Sequence, residues 1–142
     1  PELCHRNMAF TLFHAEQMPK ISIPKTEAKK LGENTYQIYV TIANDGVIPT
    51  ISQQAAKNHI FRPDLLIIRG KNLEVISAGK VRDCWLNHVL PVKHRPERIL
   101  ISNGIPGLSD LTYQWIVSGK GKTVVTLDCL KGGRVEKAIL LK

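Results

Sequence analysis

Residues 35–50 read TYQIYVTIANDGVIPT, and the fold turns on what this stretch does at its end. From Thr35 to Ile42 the pattern has period two. Tyr36, Ile38, Val40 and Ile42 fall on one side and Gln37, Tyr39 and Thr41 on the other, as in a strand with one face in a core. Asn44-Asp45-Gly46 then supplies residues that tolerate positive φ, a sharp-turn signal. A hairpin partner should follow, yet ISQQAAKNH, residues 51–59, reads as a short helix. Thr50 is placed as its cap, with Gln53 three residues on completing a Thr-x-x-Gln capping box, and Asn58 is placed at its end. The helix is therefore predicted to be a crossover that carries the chain to another strand, with a second sheet as one place for it.

Outward from this segment the chain is a series of short strands. Met8, Leu12 and either Phe13 or Ala15 recur at helical spacing until Pro19 ends the pattern, and Lys20–Ile23 alternates with Pro24 at its edge or end. Residues 64–69 form a short apolar run bounded by Pro63 and Gly70, a buried strand. Residues 73–77 follow a turn, and the pattern extends over Lys80–Trp85. Residues 90–96 read as irregular and 98–101 as a strand. Residues 111–117 are expected to pair with 122–129 as a hairpin across Ser118-Gly119-Lys120-Gly121, and 134–141 follow Lys131-Gly132-Gly133. Turn signals every 8–12 residues or so, without α/β alternation, predict an all-β, immunoglobulin-like β-sandwich of about seven or eight strands with one short crossover helix. The expected division is 1–18 as a partly helical tail of a preceding domain or linker and 19–142 as the sandwich. A start at Pro1 rather than Met suggests a C-terminal fragment of a longer protein.

A chain of 142 residues buries a core without metal or disulfide staples, and no apolar window is long enough to span a membrane. The net charge of +8 raises the possibility of nucleic acid. Its densest groups, Lys25 with Lys29 and Lys30, Lys93-His94-Arg95 with Arg98, and Lys120 with Lys122, fall in predicted turns and strand ends, with few aromatics for stacking. No nucleic-acid partner is expected; an acidic surface on a protein partner would use the same charge.

Motifs for chemistry are absent. Cys4, Cys84 and Cys129 form no CxxC pair, so a local zinc site is not expected. Small buried thiols are the default reading for Cys84 and Cys129, and an oxidised pair stays open if the chain is exported. The five histidines have no metal-binding spacing. The aspartates mostly fall beside turns, where they cap backbone amides. Gly119-Lys120-Gly121-Lys122-Thr123 lacks the first glycine of a phosphate-binding loop and precedes a strand rather than a helix. No serine or cysteine sits in a nucleophile elbow. Trp115 reads as core, whereas Trp85, with Arg82 nearby, is the candidate for a ligand surface.

MPKISI, NTYQIYVTIANDGVIPT, the Ala-Ala-containing helix, RPDLLI, YQWIVSGKG and KGGRV, in that order, resemble the C-terminal β-sandwich appended to bacterial zinc carboxypeptidases of the carboxypeptidase A-like family. The resemblance implies a non-catalytic accessory domain packed on an upstream peptidase domain and supporting its folding, stability or substrate access. It also implies no cofactor in this chain, zinc only in the missing peptidase domain, and a periplasmic or secreted setting. Phe10, Leu12, Phe13 and Met18 would then face that peptidase. The alternative is a carbohydrate or surface-ligand binding module centred on Trp85 and Arg82.

Overall fold

The computed structural model describes residues 2–83, 86 and 88–141. Helix α1 (Glu2–Glu16) leads into strands β1 (Ile21–Lys30) and β2 (Thr35–Asn44). Helix α2 (Gln53–Lys57) follows, and then β3 (Asp64–Gly70), β4 (Leu73–Asp83), β5 (His88–Pro91), β6 (Arg98–Ile101), β7 (Ser109–Gly119), β8 (Gly121–Cys129) and β9 (Gly133–Leu141). The strands form two antiparallel sheets, ordered β1-β2-β7-β4-β5 and β6-β3-β8-β9. The chain is an immunoglobulin-like β-sandwich, the class its alternation predicts. One strand more than expected comes from β5, which pairs with β4 through Val89 opposite Val81 in a stretch that reads as irregular because of Pro91 and Pro96.

The core is the sum of the inward phases. In β2, every second residue from Tyr36 to Asn44 is buried, which confirms its predicted core face and extends it by one position. Ile38 and Val40 meet Trp115 and Tyr113 of β7 across the ladder. The four-stranded sheet returns Leu66, Ile68, Val125 and Leu127 against them. Lys137 of β9 donates to the carbonyls of Ile23 and Pro24 at 2.9 and 3.3 Å, stitching one sheet edge to the other.

Three local expectations change. The stretch 111–129 is not a hairpin: β7 pairs with β2 and β4, and β8 pairs with β3 and β9 in the opposite sheet. Both strands bury a side, and the sandwich places those sides face to face, as their apolar content requires. The chain changes sheets at Gly119 and Gly121, with φ of 137° and 113°, a conformation that L side chains avoid. A side chain at Gly119 would also overlap the Asn72 carbonyl oxygen.

The turn at 44–46 does not use positive φ. Among the described residues only His59, Arg95 and Leu108 adopt it apart from glycines, and Gly46 is not one of those glycines. Gly46 is required by space, since a side chain there would strike the Met18 carbonyl. Nor does Thr50 cap α2. Ser52 does, its hydroxyl accepting from the Ala55 N–H at 3.3 Å; Asn58 closes the helix, as expected. The Thr50 hydroxyl is occupied elsewhere, in the loop contact described below. The crossover itself is as predicted, taking the chain from the five-stranded to the four-stranded sheet.

Candidate anion-binding face

Two polar arrangements stand out, one buried and one exposed. At the end of the sandwich where β2 leaves and β3 begins, Thr50 and Asp64 are both fully buried. The Thr50 hydroxyl donates to Asp64 Oδ2 at 2.5 Å and accepts from the Ile105 N–H at 2.7 Å. The Thr50 N–H returns to the Ile105 carbonyl at 3.1 Å. One threonine thus ties the β2–α2 connection to the β6–β7 loop and to the first residue of β3. Asp64 Oδ1 has no hydrogen-bond partner of good geometry, although the Cys129 thiol and the Leu130 N–H lie close enough to favour the anion. Burial outweighs them and raises the carboxyl above its ordinary 3.8. Burial first, and the Asp64 charge second, also push Tyr113 up to about 12 and move the Cys129 thiol up. Cys129 is a free, buried thiol far from its reactive form, so this knot is a structural pin.

Because the folded pKa of Asp64 lies above its unfolded value, its contribution to stability is present below the ordinary 3.8 and is lost as pH rises through the folded value. Relative to Asp64→Asn, the native domain should therefore lose stability as pH rises above the ordinary carboxylate range of about 4. Urea midpoints of both proteins at rising pH check this; a difference independent of pH would show that burial does not control this group.

The exposed arrangement is the outer face of the four-stranded sheet. The registers set Leu100 opposite Leu65, Leu65 opposite Asp128 and Asp128 opposite Arg134; one row on are Arg98, Ile67, Thr126 and Glu136. Arg69 faces Val124 across β3 and β8. Outward positions of a sheet are usually wet, yet Leu65 and Thr126 are only 9% and 7% exposed, which makes them the floor of a trough. A hollow of about 430 Å³ lies there, bordered by Arg69, Arg95, Arg98 and Arg134. It shares Arg69, Thr126 and Arg134 with a second hollow of about 850 Å³ that reaches Lys71, Lys120 and Lys122. It shares Arg95 and Arg98 with a third of about 510 Å³ beside His94 and Leu100. The carboxylates along the trough are Glu97, Asp128 and Glu136. Two of them are already paired: Asp128 with Arg62 at 2.7 Å, and Glu136 with Arg134. Among the described residues, Arg69, Arg95 and Arg98 are in no salt bridge.

The sequence-based candidates lie elsewhere. Phe10, Leu12 and Phe13 are exposed on α1, a helix with no buried residue, and Met18 follows it, 42% exposed. Among the described residues the rings of Phe10 and Phe13 meet only that of His14, tilted at 4.3 Å and edge-on at 6.2 Å between centroids. Arg82 is exposed on β4, while Trp85, like Cys84, lies outside the described residues. The basic groups that look scattered in sequence are partly gathered: Arg95 with Arg98 and Lys120 with Lys122 meet on one face, and Lys25, Lys29 and Lys30 stay apart on β1. Sequence reading missed Arg69 and Arg134. The available signal was their phase, since each stands on the outward alternation of its strand.

With the immunoglobulin-like sandwich and its basic face described, comparison with known proteins places the chain. It belongs to the family described as "Domain of unknown function (DUF8731)", whose model matches residues 20–139. No curated protein matches. Among solved structures the chain is similar to the apo PCuAC domain from PmoF1, at 16% identity and a TM-score of 0.40, with 88% of this chain and 95% of that one covered.

These findings correct the carboxypeptidase resemblance. The family that matches residues 20–139 is one of unknown function and no curated protein matches, so nothing ties the chain to a zinc carboxypeptidase, and the accessory role, with its hydrolase and proteolysis associations, is withdrawn. The upstream peptidase partner and the cofactor reading, none here and zinc only in that peptidase, rested on the same resemblance and go with it. The carbohydrate-module alternative has no support from either comparison. The resemblance rested on strand and turn residues that many sandwiches need for the same physical reasons, which is why it misled. Among the described residues, no three His, Cys, Asp or Glu side chains gather as a metal-holding group, and no helix is long and apolar enough to cross a membrane.

Proposed function

We propose that this domain is a non-catalytic binding module whose working surface is the outer face of the four-stranded sheet, and that its ligand is anionic. The observation that carries the reading is the convergence of Arg69, Arg95 and Arg98, in no salt bridge among the described residues, around a hollow floored by Leu65 and Thr126. Gathered like charges repel one another, and an anion between them relieves that repulsion. The guanidinium fork presents paired donors that match a carboxylate, phosphate or sulfate, and Leu65, Ile67 and Val124 offer surface to the body that carries such a group. Arg69, Arg98 and Arg134 stand on strands, which hold the trough's shape better than loops would.

Amide chemical shifts of the labelled chain, followed while hexa-aspartate or a heparin hexasaccharide is added at low salt, test this. Shifts should cluster at Arg69, Arg98, Val124 and Arg134, and the affinity should fall as salt rises. The double variant Arg69→Gln/Arg98→Gln should weaken binding about tenfold or more. Shifts confined to the five-stranded sheet, or none with either anion up to about 1 mM, would rule the surface out.

A further inference from the structure

We propose that the ligand of this trough is an extended peptide segment, about six residues long, in which acidic and apolar side chains alternate; this rests on the anion-binding reading above. The length follows from the floor. From the row of Leu65 and Leu100 to the turn beside Gly70 and Lys122 the trough follows about six residues of β3. At about 3.3 Å per residue, an extended chain of similar length lies along it.

The chemistry follows from what lines the walls. No Phe, Tyr or Trp side chain borders any of the three hollows among the described residues, and the imidazole of His94 is the single aromatic ring there. A single-stranded nucleic acid, which needs a succession of such rings, would find little to stack its bases on there. Asp128 and Glu136 are already paired, but Glu97 stands among the cations in no salt bridge among the described residues, so a polymer with a negative charge on every unit, such as a nucleic acid or a sulfated glycan, would set one of its charges against it. A peptide can place carboxylates only where Arg69, Arg95 and Arg98 stand. The floor discriminates again: Leu65, Ile67 and Val124 would desolvate sugar hydroxyls without replacing their hydrogen bonds, whereas apolar side chains gain from the same contact. In an extended peptide alternate side chains point to opposite sides, so an acid-apolar alternation sends one set to the floor and leaves the other at the arginine rim.

The deciding measurement is calorimetric titration of the whole chain with four probes of matched length: acetyl-Asp-Leu-Asp-Leu-Asp-Leu-amide, hexa-aspartate, a heparin hexasaccharide and a thymidine hexanucleotide. The alternating peptide should bind about tenfold tighter than each of the others. Arg98→Gln should weaken it about tenfold, Lys29→Gln on β1 should leave it unchanged, and Ile67→Ser should shrink its advantage over hexa-aspartate. If hexa-aspartate matches the peptide, or heparin or the oligonucleotide equals or exceeds it, the inference is wrong and the anion-binding reading stands. If none of the four binds, both fall.

Discussion

In the Trp115→Ala variant the domain loses about 3–5 kcal/mol of stability, a large share of the roughly 5–15 kcal/mol that holds a domain of this kind together. Trp115 is fully buried, and on β7 it stands between Ile38 of β2 and Ala78 of β4. It fills the space between the sheets at the middle strand of the larger one, where the surrounding ladders leave little freedom to collapse into the gap. Its indole N–H also donates to the Pro96 carbonyl at 2.8 Å. That bond fastens the loop carrying Arg95 and Glu97, so the core reaches directly to the trough. Trp115→Phe keeps most of the packing and loses this bond, and it should cost less in stability while still weakening ligand binding through Arg95. Urea denaturation of both variants measures the first effect. A loss below about 1 kcal/mol for Trp115→Ala would mean that the indole is not the keystone of this core.

The second large effect is expected at Asn44. Its Oδ1 accepts from the N–H groups of Lys20 and Gly46 at 3.0 and 3.1 Å, and its Nδ2 donates to the carbonyls of Ile48 and Pro106 at 2.9 and 3.3 Å. One buried side chain therefore satisfies four backbone groups from three separate connections. Asn44→Ala leaves those groups without partners where water enters poorly, at about 1–3 kcal/mol for each that stays unsatisfied; with partial repair by trapped water, a loss of about 2–4 kcal/mol is expected. Thermal or urea unfolding gives the size of the loss. Hydrogen exchange at Gly46 and Lys20 should accelerate with it, and unchanged protection at both amides would show that the asparagine is not their anchor. Here lies the answer to why a strand leaves through Asn-Asp-Gly without making a hairpin: Asn44 is the knot that gathers the loops at this end of the sandwich.

Much of the fold was legible because local physics and tertiary packing agree in it. The alternation of Tyr36, Ile38, Val40 and Ile42 marks a half-buried strand in any sandwich, and the loops that break each strand are rich in glycine, proline and asparagine. The misreadings occur where the two part. Thr50 has the chemistry of a helix cap, but a stronger partner, the buried carboxyl of Asp64, holds its hydroxyl, and Ser52 serves instead. The stretch from Leu111 to Cys129 has the apolar content of a hairpin, yet two positive-φ glycines send its halves to different sheets. Nothing within either strand marks which neighbour it will choose, because pairing is decided by which faces the rest of the chain leaves uncovered.

The site was less legible for the same reason. Each of Arg69, Arg98, Lys122 and Arg134 reads in sequence as an ordinary charge on the wet side of a strand or in a turn. By itself the sequence determined the class of fold, the inward phase of the strands and the excess of positive charge, because these depend on residues near one another along the chain. The tertiary structure alone decided that β6, β3, β8 and β9 lie side by side, and with that which of the scattered cations share one trough. Strand order rests on contacts between distant segments, and no local pattern of residues encodes it.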